Sequence, residues 1–93
     1  MAGLNSEIKH HGFSLHIQTQ DAGAKAHYVE TLVYSTGQLL FSRKTSYAPH
    51  LNHLDLEEKV QNLVSDQHHQ IIKQIREGKF DHFLTSKREP DSS

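Results

Sequence analysis

Apolar and polar residues alternate with a period of two in the N-terminal part of the chain. Every second place in this stretch is apolar or threonine, namely Phe13, Leu15, Ile17 and Thr19. This alternation is typical of a strand that buries one face. His11-Gly12 supplies a turn, and with these two residues as the loop Ile8 would face Leu15. The pattern predicts a first hairpin over residues 7–20 with one apolar face.

A second hairpin is predicted between residues 28 and 47. Its strands are rich in valine, threonine and aromatic residues and flank Ser35-Thr36-Gly37, where glycine can adopt a positive φ. One face carries Leu32, Tyr34, Leu39, Phe41 and Tyr47, and the other carries Val29, Val33 and Leu40. The aromatic-rich face offers more area to bury and is the expected core. If the smaller face is the core instead, the aromatic set becomes a binding surface.

One long amphipathic helix is predicted after this hairpin. Asp55 is placed as its N-cap, with Glu58 three residues on to complete a capping box, and Gly78 stands where a C-terminal cap would be. Apolar residues between them share an arc of about 120°. They are Leu56, Val60, Leu63, Val64, Ile71 and Ile75. Gln67 lies near the centre of this arc, where its amide needs hydrogen-bond partners.

The expected fold class is therefore α+β: a four-stranded antiparallel sheet of two hairpins, then one long amphipathic helix packed on one face. A short C-terminal extension follows, anchored by Phe80, Phe83 and Leu84. A chain of 93 residues fits one domain, expected over 1–84, with a disordered tail over 85–93. The chain has no cysteine for a disulfide. Its apolar runs fall far short of the ~20 residues of a membrane span, and its N-terminus lacks the long apolar stretch of a signal peptide, so a cytoplasmic location is expected.

The charge balance does not favour a nucleic-acid partner. Ten Lys and Arg residues oppose eleven Asp and Glu residues, giving a formal net charge of −1. Arg43 and Tyr47 are candidates for a binding surface on the second hairpin. Because successive strand residues face opposite ways, Arg43 and Lys44 cannot serve one surface, and the glycine-aromatic signature of an RNA-recognition sheet is missing.

Nine histidines are the most unusual feature of the composition. Pairs occur at His10-His11, at His50 and His53, and at His68-His69. Adjacent histidines on a strand or helix point to different sides, so these pairs do not predict a shared metal ion. His50 and His53, in a loop near Asp55, are the candidates that could converge. The sequence predicts no metal site beyond this pair and no cofactor.

Gln67 and His68 form a polar pair at the margin of the apolar helix stripe. Such a pair can face a ligand in a pocket between helix and sheet. The simpler interpretation is that hydroxyls on the strands, such as those of Thr19 or Thr45, satisfy the amide. This second interpretation is the favoured one.

Three short motifs resemble a group of small uncharacterised bacterial proteins with the same order of elements. They are His16-x-Gln18-Thr19-x-Asp21, Ser42-x-Lys44-Thr45-Ser46-Tyr47 and the helical Gln67-His68. The resemblance covers the chain from about Phe13 to Gly78. It implies a bacterial origin, and it brings no activity, catalytic residue or cofactor.

The function that the sequence favours is a non-enzymatic protein-interaction module, with a homodimer as its expected assembly. Val29, Val33 and Leu40, buried between two protomers, would explain the two-faced hairpin. The alternative is a regulatory domain that binds a small ligand or metal near Gln67 and His68. An enzyme is less favoured, because the chain has no Gly-x-Ser-x-Gly elbow, no cysteine and no glycine-rich phosphate loop.

Overall fold

The chain forms four strands and two α-helices in the part that the structure, a computed structural model, describes, residues 3–23 and 25–88. The strands are β1 (Leu4–His10), β2 (Phe13–Asp21), β3 (Tyr28–Ser35) and β4 (Gln38–Ser46), and the helices are α1 (Leu56–Arg76) and α2 (Asp81–Arg88). The strands pair in sequence order as one antiparallel sheet, and α1 packs on one of its faces. The predicted α+β fold is confirmed.

The first hairpin has the predicted turn and register. Ile8 pairs with Leu15 and His10 pairs with Phe13, which leaves His11 and Gly12 as a two-residue loop. Both loop residues have positive φ, 51° and 83°, the conformation of a type I′ turn. This turn matches the right-handed twist of the strands, so the local sequence fixes the register of this hairpin.

The second hairpin buries the face that the sequence did not favour. Val29, Thr31 and Val33 are fully buried beneath α1, whereas Leu32 and Tyr34 lie on the opposite face. The prediction that the aromatic-rich face forms the core is therefore wrong for β3. The reason is the pairing between the hairpins: β2 places Ile17 opposite Val33, and a shift of one residue would have turned the other face inward.

A β-bulge in β4 explains why two neighbouring apolar residues of this strand both reach the core. The pairing shifts between Val33, which lies opposite Phe41, and Tyr34, which lies opposite Leu39, so Leu40 is an extra residue. A bulge places two neighbouring side chains on nearly the same side of a sheet. Leu40 is consequently buried, and Phe41 packs against the same core.

Val29, Val33 and Leu40 therefore do not form an exposed self-association surface. Their side chains are 0%, 0% and 9% exposed and contact the inner side of α1 and the strands. The prediction that they meet a second protomer is corrected, because α1 already covers this face.

The helix α1 packs through the predicted stripe. Its buried residues are Val60, Val64, Gln67, His68, Ile71 and Ile75. Asp55 precedes the helix, but its side chain makes no capping hydrogen bond with the described residues, so the predicted capping box is not formed. At the other end Gly78 has φ +85°, and its N–H donates to the Ile75 carbonyl over 3.0 Å. This left-handed glycine ends the helix as predicted.

The C-terminal extension packs on the same face of the sheet as α1. The Phe41 ring stacks on Phe80 and Phe83, with ring centres 4.3 Å and 4.9 Å apart, and Leu84 is buried in the core. The predicted anchor is thus present. Helix α2 covers the first four residues of the expected tail 85–93, and residues 89–93 lie outside the described part.

Candidate functional site

A row of buried and partly buried polar side chains crosses the sheet beneath α1. Each strand contributes one hydroxyl to it, and together these are Ser6, Thr19, Thr31 and Thr45. The helix contributes Gln67 and His68, which lie directly above the sheet. We call these six residues the polar row.

His68 occupies the end of the polar row nearest β1. Its Nε2 lies 2.8 Å from the Ser6 hydroxyl and its Nδ1 lies 2.8 Å from the Thr19 hydroxyl. A neutral imidazole has one donor and one acceptor, so it can satisfy both hydroxyls. Burial lowers the pKa of His68, and the neighbouring charge of His69 lowers that pKa further. His68 is therefore neutral at physiological pH.

Gln67 occupies the other half of the polar row. Its Nε2 donates to the Thr31 hydroxyl over 2.9 Å and to the Arg43 carbonyl over 3.2 Å, and its Oε1 accepts from Thr45. Thr19 and Thr31 are joined by a 2.7 Å hydrogen bond, which links the two halves. The hydroxyls of the strands thus form hydrogen bonds with the side chains of Gln67 and His68, as the sequence predicted for Gln67.

The four predicted binding residues do not form one site. Gln67 and His68 are internal members of the polar row, whereas the Arg43 guanidinium lies over the Phe80 ring, 5.8 Å from its centre. Tyr47 directly follows β4, and its hydroxyl donates to Asp21 over 2.7 Å. A shallow depression of about 270 Å³ lies beside Gln67 and Arg43, bordered by Asp66.

Tyr47 borders a second cleft, of about 290 Å³, between the end of the sheet and the start of α1. Its lining residues are Asp21, His27, Tyr47, Leu51, Leu56, Glu57 and Val60. Burial, the hydrogen bond to Asp21 and the charge of that carboxylate raise the pKa of Tyr47 to about 12. Tyr47 therefore keeps its proton at neutral pH and acts as a donor that fixes Asp21.

His10, His11 and Asp81 converge where the first hairpin meets α2. His10 Nε2 lies 2.9 Å from one Asp81 carboxylate oxygen, and His11 Nε2 lies 3.2 Å from the other. The sequence placed these adjacent histidines on different sides, which holds for a strand but not for a turn. His11 has φ +51°, and this left-handed residue breaks the alternation. The His-His-Gly turn was the signal that could have indicated their convergence.

His50 and His53 lie close together, with ring centres 5.3 Å apart, and both are exposed. Of the described residues, the only group of three or more metal-ligand types that converges is His10, His11 and Asp81. The loop pair therefore lacks a third ligand among these residues.

The outer face of the sheet, opposite α1, carries apolar side chains along β3 and at the start of β4. They are Tyr28, Leu32, Tyr34 and Leu39. Leu39 is 45% exposed. Lys44 lies over the Tyr28 ring, 5.0 Å from its centre, and is paired with Glu30 across the strands. Among the described elements, both helices lie on the other face.

A comparison of the chain with protein-family models gave no match, and neither did comparisons with curated proteins and with solved structures. None of the helices in the described residues combines the length and the apolar character that a membrane span requires.

Proposed function

We propose that this protein is a protein-interaction module that forms a homodimer through the outer face of its sheet. The observation that carries the proposal is the cluster of Tyr28, Leu32, Tyr34 and Leu39 on a face that α1 and α2 leave open. Apolar and aromatic side chains on an open face, with polar residues beside them, are typical of an interface. The partner in this proposal is a second copy of the chain.

The dimensions of the outer face support this partner. Four strands ~4.8 Å apart and about eight residues long give a footprint of roughly 500 Å² per protomer. Two such faces bury about 1,000 Å² in total, close to the lower limit for a specific interface. The area is thus sufficient for a weak, reversible dimer.

The charges of the outer face also suit self-association. Glu7 and Lys9 lie on its β1 side, and Glu30 and Lys44 lie on its β4 side. A face that carries both signs can pair opposite charges under a two-fold axis. The formal net charge of −1 adds little repulsion between copies.

The polar row favours this proposal over a ligand-binding site at Gln67 and His68. Their amide and imidazole groups already bond to strand hydroxyls, and both side chains are buried. A ligand there would have to replace these bonds, which costs free energy for each buried group left unpaired. A bacterial origin and a cytoplasmic location are part of the proposal and rest on the sequence.

The test is the concentration dependence of the mass, measured by sedimentation equilibrium. Leu39→Glu adds one charge among these apolar side chains and is expected to weaken the dimer at least about tenfold, because the buried carboxylate would lose its hydration. Gln61→Glu adds the same charge on the exposed side of α1 and should leave the dimer unchanged. A wild-type chain that stays monomeric at every concentration contradicts the proposal, and so does a dimer that both variants preserve.

A further inference from the structure

We propose that His10, His11 and Asp81 form a binding site for a divalent transition-metal ion of the Zn²⁺ or Ni²⁺ class. Two imidazole nitrogens and one carboxylate are a common protein donor set for these ions. The proposed site lies at the junction of the first hairpin and α2, apart from the outer face. It is thus independent of the proposed dimer.

The separation of the ligand atoms fits one ion. One ligand atom from each of the three residues lies within 4.8 Å of the other two, and the His10 and His11 Nε2 atoms are 2.9 and 3.2 Å from the Asp81 oxygens. In a tetrahedral site with bonds of ~2.1 Å, neighbouring ligand atoms are about 3.4 Å apart. Small side-chain rotations would therefore admit an ion between the three groups.

The backbone holds these ligands from two sides. The type I′ turn presents His10 and His11 together, as its left-handed residues break the strand alternation. On the other side, the Asp81 N–H donates to the Gly78 carbonyl over 3.2 Å, which fixes the start of α2.

The Asp81 carboxylate lies close to Gly78. A Cβ on residue 78 would lie 3.2 Å from Asp81 Oδ2, closer than most side-chain contacts. The glycine thus serves the left-handed end of α1 and also leaves room for the carboxylate.

Solvent can reach the site. The side chains of His11 and Asp81 are 62% and 40% exposed, while that of His10 is 11% exposed. A hydrated ion can therefore enter from the side of His11 and keep water in its remaining coordination positions. Binding would tie the first hairpin to α2 and raise the melting temperature.

The test is isothermal titration of the untagged, chelator-treated chain with zinc chloride and with nickel chloride. We expect one ion per chain. His11→Asn keeps a residue type that tolerates the left-handed turn, and Asp81→Asn keeps the shape of the side chain. Each should weaken binding by at least about tenfold, because each removes a ligand.

His53→Asn is the matched control, since it removes an exposed histidine from the loop pair. It should leave the affinity unchanged. Circular dichroism confirms that each variant folds, and the absorption spectrum of bound Co²⁺ reports the coordination geometry without reference to stability. Loss of binding in His53→Asn alone, binding that survives Asp81→Asn, or no binding at millimolar metal overturns the proposal.

Discussion

Thr31 joins the two halves of the polar row, because its hydroxyl meets both Thr19 and Gln67. Both neighbours are buried, and each has one further partner for the same group, His68 for the Thr19 hydroxyl and the Arg43 carbonyl for the Gln67 amide nitrogen. Of the residues in the three sequence motifs, several make such internal hydrogen bonds. They are Thr19, Asp21, Thr45, Tyr47, Gln67 and His68. The structure thus gives these motif positions a role in holding α1 and the sheet end in place.

Thr31→Val tests the polar row with almost no change in shape. It removes the hydroxyl and leaves the Gln67 amide and the Thr19 hydroxyl each short of a partner, so we expect a loss of about 2 kcal/mol in the free energy of unfolding. Urea denaturation measures this free energy. Thr31→Ser keeps the hydroxyl and loses only a methyl group, so it should lose about 1 kcal/mol. Equal losses in the two variants would mean that packing, not hydrogen bonding, accounts for the effect.

The lowered pKa of His68 predicts a pH dependence of stability. In the unfolded state the pKa of His68 has its ordinary value of about 6.5, and in the folded state the pKa is lower. Between these two pKa values the unfolded state therefore binds the proton more readily than the folded state. The stabilisation is therefore fully present above about pH 6.5 and is lost as the pH falls toward the folded pKa. The loss from this group can reach about 1.4 kcal/mol per pH unit.

His68→Gln should flatten the part of this profile that lies between about pH 7 and pH 5, measured by urea denaturation. His53→Gln removes an exposed histidine and should keep the wild-type slope. An unchanged slope in His68→Gln would show that other histidines cause the acid sensitivity.

At the scale of elements, the sheet is held from one side by α1 and α2 together. α2 is short, and its attachment depends on the stack of Phe41, Phe80 and Phe83 and on Leu84. An isolated helix of eight residues is not stable in water. The β-bulge turns the Phe41 ring toward the core, and α2 is attached to the sheet through that ring.

Phe41→Ala should release α2 while leaving most of α1 in place. The loss of a partly buried aromatic ring and its two stacking partners is expected to cost about 2 to 3 kcal/mol. Hydrogen exchange of the α2 amides should accelerate strongly, and that of the central α1 amides much less. Leu54→Ala alters a fully exposed leucine and serves as the control. Unchanged exchange in α2 would contradict this account of its attachment.

At the scale of the whole molecule, the nine histidines make the net charge depend steeply on pH. The formal charge is −1 with neutral histidines, and each histidine that binds a proton in acid adds one positive charge. Acid therefore adds positive charge to the whole chain, and two protomers repel each other more strongly.

The proposed dimer should weaken at least about tenfold between pH 7.5 and pH 5.5 at low salt, and less at high salt, because salt screens the added charge. Sedimentation equilibrium measures both conditions, and circular dichroism verifies that the chain stays folded. A dimer that becomes tighter in acid would show that charge repulsion does not control its dissociation constant.

The sequence by itself determined the local elements. The alternation in β2 and the His11-Gly12 turn set the register of the first hairpin, and the apolar stripe and Gly78 set the course and end of α1. These features depend on residues close together in the chain, where side-chain period and turn conformation are sufficient.

Only the tertiary structure decided which face of β3 is buried and how distant polar groups meet. Either face of the second hairpin was apolar enough, and the choice came from the register between β2 and β3, which no local pattern contains. The meeting of His10 and His11 with Asp81 likewise depends on where α2 packs. Long-range pairing and helix placement are set by the combined burial of all the elements, so they follow from the whole chain and not from any one segment.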